Sequence, residues 1–312
     1  MSSAVQSDIS VDAAVRPWVM KQFRRHTGSA LAGVFGAAAF DEVALASVAA
    51  AVDRTGRFTR NFADRGVRSG AATMLVFFGD ADDRAAEAQR LKTLHRDVRG
   101  RGTGDFADVR YSALAPELWK WIGVSGLLVP IRSFTPATGI TMRAAERDAA
   151  YRMLVEAFSV LDLSAGAGAL PQTYADAMAY YDDMVANRLG ANPFLDEAVS
   201  TLGKFPLPTL GIPGPMRAAV TPAWLLARPA VGRFIKVCSF GVMHPKVREM
   251  TGFQWNRRHE VEFALYTTAV QLAWRLLPDS VVLVPLAHNR MQYEKIVAAY
   301  RSVGLESFAP GD

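Results

Sequence analysis

The sequence predicts an all-α protein of about ten or more helices, and three observations carry that prediction. Apolar residues recur every three or four positions along most of the 312-residue chain, the period of a half-buried helix. Alternating strand patterns are nearly absent, Val281 to Pro285 being the single convincing strand-like pentamer. Capping residues and glycine or proline breaks fall where the periodic runs begin and end.

Taken in order, residues 1–15 are expected to be disordered, and Pro17 begins a helical segment containing Trp18, Val19 and Phe23. Leu31 to Phe40, rich in alanine and glycine, is about half the length of a membrane span. Asp41 then opens an alanine-rich helix that ends near Gly56. The stretch RGVRSGAATMLVFFG, Arg65 to Gly79, starts basic and turns apolar, which predicts a helix buried on all sides with its first turn at a cavity rim. The next helix has a legible start and stop. Asp80 caps it, Asp82, Asp83 and Glu87 load its first turns with negative charge, Arg96 and Arg99 load its end, and Gly100 takes the left-handed position that closes it.

Gly100 to Ala113 reads as a loop. Pro116 sits in the first turn of an aromatic helix interrupted at Pro130. Thr141 to Leu163 is the clearest amphipathic helix, with Tyr151, Leu154, Phe158 and Leu161 on one face, and helical segments follow over Thr173–Leu189 and Pro193–Leu202. The proline-rich Phe205–Met216 is hydrophobic enough to be a loop packed on the body. Beyond Pro222, two short helices divide at Pro229, Asn256 caps a long helix through Leu277, and a final helix runs from Met291 to Val303. No linker or low-complexity run divides the chain, which reads as one domain over residues 1–312.

Half of the residues are hydrophobic and 21% are charged, a core-forming composition. The only cysteine, Cys238, excludes an internal disulfide and a cysteine-rich metal site, and a reducing, cytoplasmic compartment is expected. Arg24 and Arg25 resemble an export signal, but His26 and Thr27 follow where that signal requires a bulky apolar residue, so export is not expected. The net charge of +5 resides wholly between Arg54 and Arg101, where 11 Lys/Arg face 6 Asp/Glu; the remainder of the chain carries 24 of each. Such a segment is either a solvated face or the surround of an anionic ligand. Nucleic acid is disfavoured, because lysine is scarce and no nucleic-acid motif is present.

Common catalytic patterns fail. Gly28, Gly33 and Gly36 follow no strand, and no Gly-x-Ser-x-Gly elbow exists. His259-Glu260 begins like a zinc-protease helix, but Phe263 stands where the second histidine belongs. Asp182 and Asp183 adjoin and so face different directions, and nothing in the spacing of Cys238, His244 and His259 requires a shared metal. What remains is His95 in RLKTLHRDVRG. Its distance from Leu91 and Val98 turns the imidazole inward, as a hydrogen-bonded core residue or as a ligand to something held between helices. An inward imidazole, adjacent arginines and an apolar wall are what a haem needs, and they equally describe an ordinary basic helical protein.

Three segments, RGVRSGAATMLVFFG, LHRDVRG and YSALAPELWKWI, occur in an order and spacing that resemble the haem-binding oxygenase family of latex clearing protein (rubber oxygenase) and the mycophenolic acid pathway oxygenase B. The resemblance covers roughly Gly28 to Pro285. It implies a globin-like multi-helix bundle around haem b, with His95 as proximal iron ligand, Lys92, Arg96 and Arg99 beside the cofactor, and Arg65, Arg68 and Ser69 at the catalytic distal face. Arg68 and Ser69 stand where the rubber oxygenase has lysine and threonine. A guanidinium stays protonated and offers only donors, so Arg68 is not expected to ligate iron, and the sixth position is expected to be open or water-filled. Gly123 stands where many relatives carry a histidine, and Ala115 replaces the usual capping aspartate. The expected activity is oxygenation, with dioxygen, of an apolar isoprenoid or aromatic small molecule. Haem-dependent dehydrogenation or peroxidation, and non-catalytic carriage of haem or an apolar ligand, remain the alternatives; the electron donor and the oligomeric state stay open.

Overall fold

The computed structural model of the chain describes residues 15–54, 58–161 and 168–303. The helices are α1 (Pro17–Thr27), a 3-10 segment (Ala30–Ala44), α2 (Ala46–Asp53), α3 (Phe58–Phe78), α4 (Ala81–Arg96), α5 (Pro116–Thr138), α6 (Ala144–Phe158), α7 (Tyr174–Asn187), α8 (Pro193–Thr201), α9 (Gly214–Val242), α10 (Pro245–Met250), α11 (Arg257–Leu276), α12 (Asp279–Val282) and α13 (Pro285–Ser302). The all-α prediction holds. The one sheet among the described residues is a two-stranded antiparallel ladder, β1 (Arg99–Arg101) with β2 (Arg110–Ser112), Gly100 facing Tyr111.

Helix α5 is the axis of the body because it is apolar on nearly every side: Trp121, Val124, Leu127, Leu128, Ile131 and Phe134 are all buried. The 3-10 segment lies between α5 and α9, while α1, α6 and α11 pack on the remaining faces of α5. Tyr151 and Leu154 of α6 and Tyr181 of α7 complete the main core, with the expected face of α6 turned inward. Glu146, fully buried, ties the start of α1 to α6: it accepts from Arg16 Nε at 2.6 Å, Arg16 Nη2 at 2.8 Å and the Arg143 amide at 2.8 Å. These donors, the Arg16 side chain foremost, hold its carboxyl down at about 2.

Several boundaries differ from the sequence reading. Asp41 does not open a helix; it lies buried in the 3-10 segment, and the following α-helix starts only at Ala46. Gly100 does not close α4, which ends at Arg96 with Asp97 as its cap, because Gly100 is drawn into β1. Val281–Pro285 is not a strand; it contributes one isolated bridge, Leu283 to Ser29. Neither Pro130 nor Pro229 ends its helix. In α9 both Pro222 and Pro229 are exposed, as are Ala218 and Leu225 four residues before them, so the carbonyls that lose their partners meet water and the helix runs on. Residues 1–14, Gly56, Leu163 and Gly304 lie outside the described residues. The loop before α9 is packed on the body as expected: Asp64 of α3 accepts from the Thr209 amide and hydroxyl and, at 3.1 Å, from the Leu210 amide. No single helix among the described residues is long and apolar enough to cross a membrane, and the 3-10 segment and α2, which together approach that length, meet at a bend of 108°.

The buried Asp41 has a consequence for pH dependence. Tyr181 donates to its Oδ2 at 2.7 Å and Arg132 stands 4.0 Å away, while Oδ1 has no partner among the described residues. Burial outweighs both neighbours and pushes the carboxyl up to about 6. Below pH 4 folded and unfolded chains both hold this proton, so it costs nothing. Between pH 4 and 6 the unfolded chain releases it first, and stability falls as pH rises, by on the order of 3 kcal/mol at full effect. Asp41→Asn keeps an acceptor for Tyr181 and removes the titration. The variant is expected to match the parent at pH 4 and to exceed it at pH 7.5 in urea midpoint; a constant offset at both pH values would contradict the assignment.

Candidate functional site

Helices α3 and α4 form an antiparallel hairpin joined at Gly79 and Asp80. The turn is local chemistry: Asp80 Oδ1 accepts from the Asp83 amide at 2.9 Å and Asp83 returns the bond, a reciprocal cap. A Cβ on Gly79 would come within 2.4 Å of the Leu75 carbonyl oxygen, so only glycine passes this turn. The halves of the two helices nearest the turn pack together through Val76 and Ala88, with Phe77, Leu91, Trp119 and Phe158 around them.

The middle of α3 is open, between the turn end and a far end whose Phe58 and Phe62 pack on Phe194, Phe40 and Phe205. Gly66, Val67, Arg68, Ser69, Gly70 and Ala71 are exposed in an unbroken row, and six consecutive residues cover every face of a helix. The expectation of a helix buried on all sides is therefore corrected: burial begins only near Val76, where the side chains become large enough to reach α4 and α13. Two glycines in an unsupported helix cost about 1 kcal/mol each against alanine. On α4, Leu94 is 55% exposed.

His95 stands at the edge of this open mouth, half-buried. Its Nδ1 lies 2.8 Å from the Leu91 carbonyl oxygen one turn earlier. A carbonyl only accepts, so Nδ1 carries a proton and Nε2 is the ring nitrogen left to meet a ligand. The ring meets Trp119 of α5 edge-on at 6.2 Å, and Trp119 in turn lies 6.1 Å from Phe158. Trp119 Nε1 is buried without a hydrogen-bond partner among the described residues. This orphan was invisible in the sequence, where Trp119 reads as one core aromatic among several.

The other expected site residues divide by position. Lys92 lies one turn before His95 and is half-buried. Arg65 is half-buried, 5.6 Å from the Phe58 ring, and its pKa is lowered by burial and by the neighbouring Arg54 and Arg68. Arg68 and Ser69 are exposed on α3, Arg99 is exposed on β1, and Arg96 pairs with Asp97 at 3.6 Å in solvent. No hydrogen bond among the described residues joins the α3 residues to His95; they share the hairpin, Arg65 and His95 each lying 14 to 15 residues, about 21 to 23 Å of helix rise, from the turn. Cys238, His244 and His259 do not gather: Cys238 is buried beside Phe35 and Val270, His244 lies against Tyr181, and His259 against Phe253. No group of three or more His, Cys, Asp or Glu side chains among the described residues is placed to hold a metal ion.

A bare ion needs three or more such ligands, whereas an iron already held by a macrocycle needs one nitrogen and an apolar, flat space beside it. His95 offers one ring nitrogen with its other nitrogen held by Leu91, and residues 66–71 of α3 on the same hairpin are exposed. By the family model it matches, the chain is an oxygenase, and hence an oxidoreductase. Residues 22–272 match the family model described as ER-bound oxygenase mpaB/B'/Rubber oxygenase, catalytic domain, and the chain belongs to that family. No curated protein and no solved structure matches the chain.

Proposed function

We propose that this chain is a haem b-dependent oxygenase that uses dioxygen on an apolar small molecule, isoprenoid or aromatic, in a reducing cytoplasmic compartment. The observation that carries the reading is the His95 imidazole, fixed through Nδ1 on the Leu91 carbonyl so that Nε2 is free beside an unpartnered indole N–H. Haem b, when bound, supplies the redox-active iron that activates dioxygen. His95 Nε2 would hold that iron, and the Leu91 carbonyl orients the ring by accepting from its other nitrogen. Lys92, Arg96 and Arg99 supply cations for the propionates, and the Trp119 N–H supplies a neutral donor. Arg65, Arg68 and Ser69 offer donors from the facing helix where negative charge develops on oxygen, a charge-assisted bond in the case of the arginines. Val76, Phe77, Leu91 and Phe158 keep water from the inner end of the hairpin.

The test is isotopic. Turnover under labelled dioxygen is expected to place label in the product of an apolar alkene or arene substrate. Product formed without label would assign dehydrogenation or peroxidation instead, and a protein that takes up haem but oxidises nothing would be a carrier.

A further inference from the structure

A second recess lies away from the hairpin and shares no residue with the His95 group. It is a cleft of about 560 Å³ formed where the start of α1, the end of α11, α12 and the middle of α13 converge. Such a volume suits a small organic ligand. Its inner wall is apolar and rigid, built from the buried Trp274 and Met291. Trp18 stands at the rim, 51% exposed, its indole steadied by Arg16 at 5.1 Å.

Charge distinguishes this cleft from an ordinary surface hollow. Four cations line it, Lys21, Arg25, Arg275 and Lys295, against one carboxylate, Asp279. Asp279 is already paired: Arg25 Nε lies 2.7 Å from its Oδ1, and the same guanidinium stacks on the Trp274 ring at 3.9 Å. Glu294, the neighbour of Lys295, is held by Arg24 in a two-point ion pair. Lys21, Arg275 and Lys295 therefore face one volume with no carboxylate in salt-bridge range among the described residues. All three are exposed, so water and salt screen their mutual repulsion, and an anion seated in the recess would be attracted by all three at once.

We propose that this cleft is a second ligand site, taking a flat organic anion with at least two negative charges, its ring against Trp18 and its charged end among Lys21, Arg275 and Lys295. The pairing follows from the two halves of the wall: an exposed indole stacks on a ring, and clustered ammonium and guanidinium groups bind a dianion as phosphate. The site shares no residue with the His95 group; its Met291 packs on Phe78 at the turn end of α3, the end far from His95.

Calorimetric titration of the full chain as purified tests it with three probes: 1-naphthyl phosphate, 1-naphthol and inorganic phosphate. Naphthyl phosphate is expected to bind at least tenfold more tightly than either fragment, and less tightly as salt rises. The Lys21→Gln/Lys295→Gln double variant is expected to lose tenfold or more of that affinity with an unchanged melting temperature, and Trp18→Ala to reduce naphthyl phosphate to the level of inorganic phosphate. Failure of naphthyl phosphate to bind at millimolar concentration would overturn the proposal. So would naphthol binding equally well, or a double variant that binds like the parent.

Discussion

His95→Ala is expected to yield a folded protein without a Soret band and without dioxygen consumption, where the parent chain is expected to bind haem in a one-to-one ratio and to show both. The loss is expected to be essentially complete, because no second imidazole stands on the hairpin and the residues opposite, Arg65, Arg68 and Ser69, are donors that do not replace a nitrogen ligand. Folding should survive. His95 is half-buried, its hydrogen bond is internal to α4, and its only ring contact is with Trp119, so truncation costs about 1 kcal/mol in the haem-free chain. The far-ultraviolet circular dichroism of parent and variant should superimpose. Added imidazole should restore a Soret band to the variant by occupying the vacated space, which a structural defect would not permit. For the same reason the ferric parent is expected to be high-spin, since Arg68 supplies no second nitrogen. A variant that keeps its Soret band, or a parent grown with ample iron that has none, would remove the basis of the functional reading.

Legibility in the sequence followed the range of the interactions involved. The start of α4 was readable because the Asp80 cap closes within three residues, and the start of α11 because Asn256 accepts from the amides of Arg258 and His259. The inward face of α6 was readable because a 3.6-residue period needs no knowledge of the partner. Features decided at long range were not. Asp41 looks like a helix cap until the Tyr181 hydroxyl, 140 positions away, is brought to it. Gly100 looks like a helix stop until Tyr111 pairs with it. Pro229 looks like a break, and whether it is one depends on which face of α9 is wet. In the candidate site, the histidine and the basic residues were legible as residue types, and the apolar half of α3 as a run. The openness of its other half was not, because small residues predict close packing only where something is there to pack. The orphaned Trp119 N–H is of the same kind: an unsatisfied donor is a property of assembled surroundings.

The same long-range dependence makes Gly232 of α9 the position where the smallest chemical change is expected to do the most structural damage. A Cβ there would lie 2.0 Å from the Leu202 carbonyl oxygen, 2.6 Å from its carbon and 2.7 Å from the Gly203 Cα, all backbone atoms at the end of α8. Backbone has no rotamer with which to yield, so Gly232→Ala must push α9 off α8. Alanine's better helix propensity offsets about 1 kcal/mol, and the net loss is expected to be at least about 2 kcal/mol in chemical denaturation. Gly70→Ala supplies the opposite sign in the same molecule. A Cβ on Gly70 meets nothing within 4 Å, so in haem-free protein the substitution is expected to gain up to about 1 kcal/mol from propensity alone. Once haem is supplied, the added methyl stands on the open side of α3 where the flat cofactor is proposed to lie, and haem affinity is expected to fall. Equal small effects at the two positions would mean that α9 tolerates displacement from α8, and that the open half of α3 is not a contact surface for the cofactor.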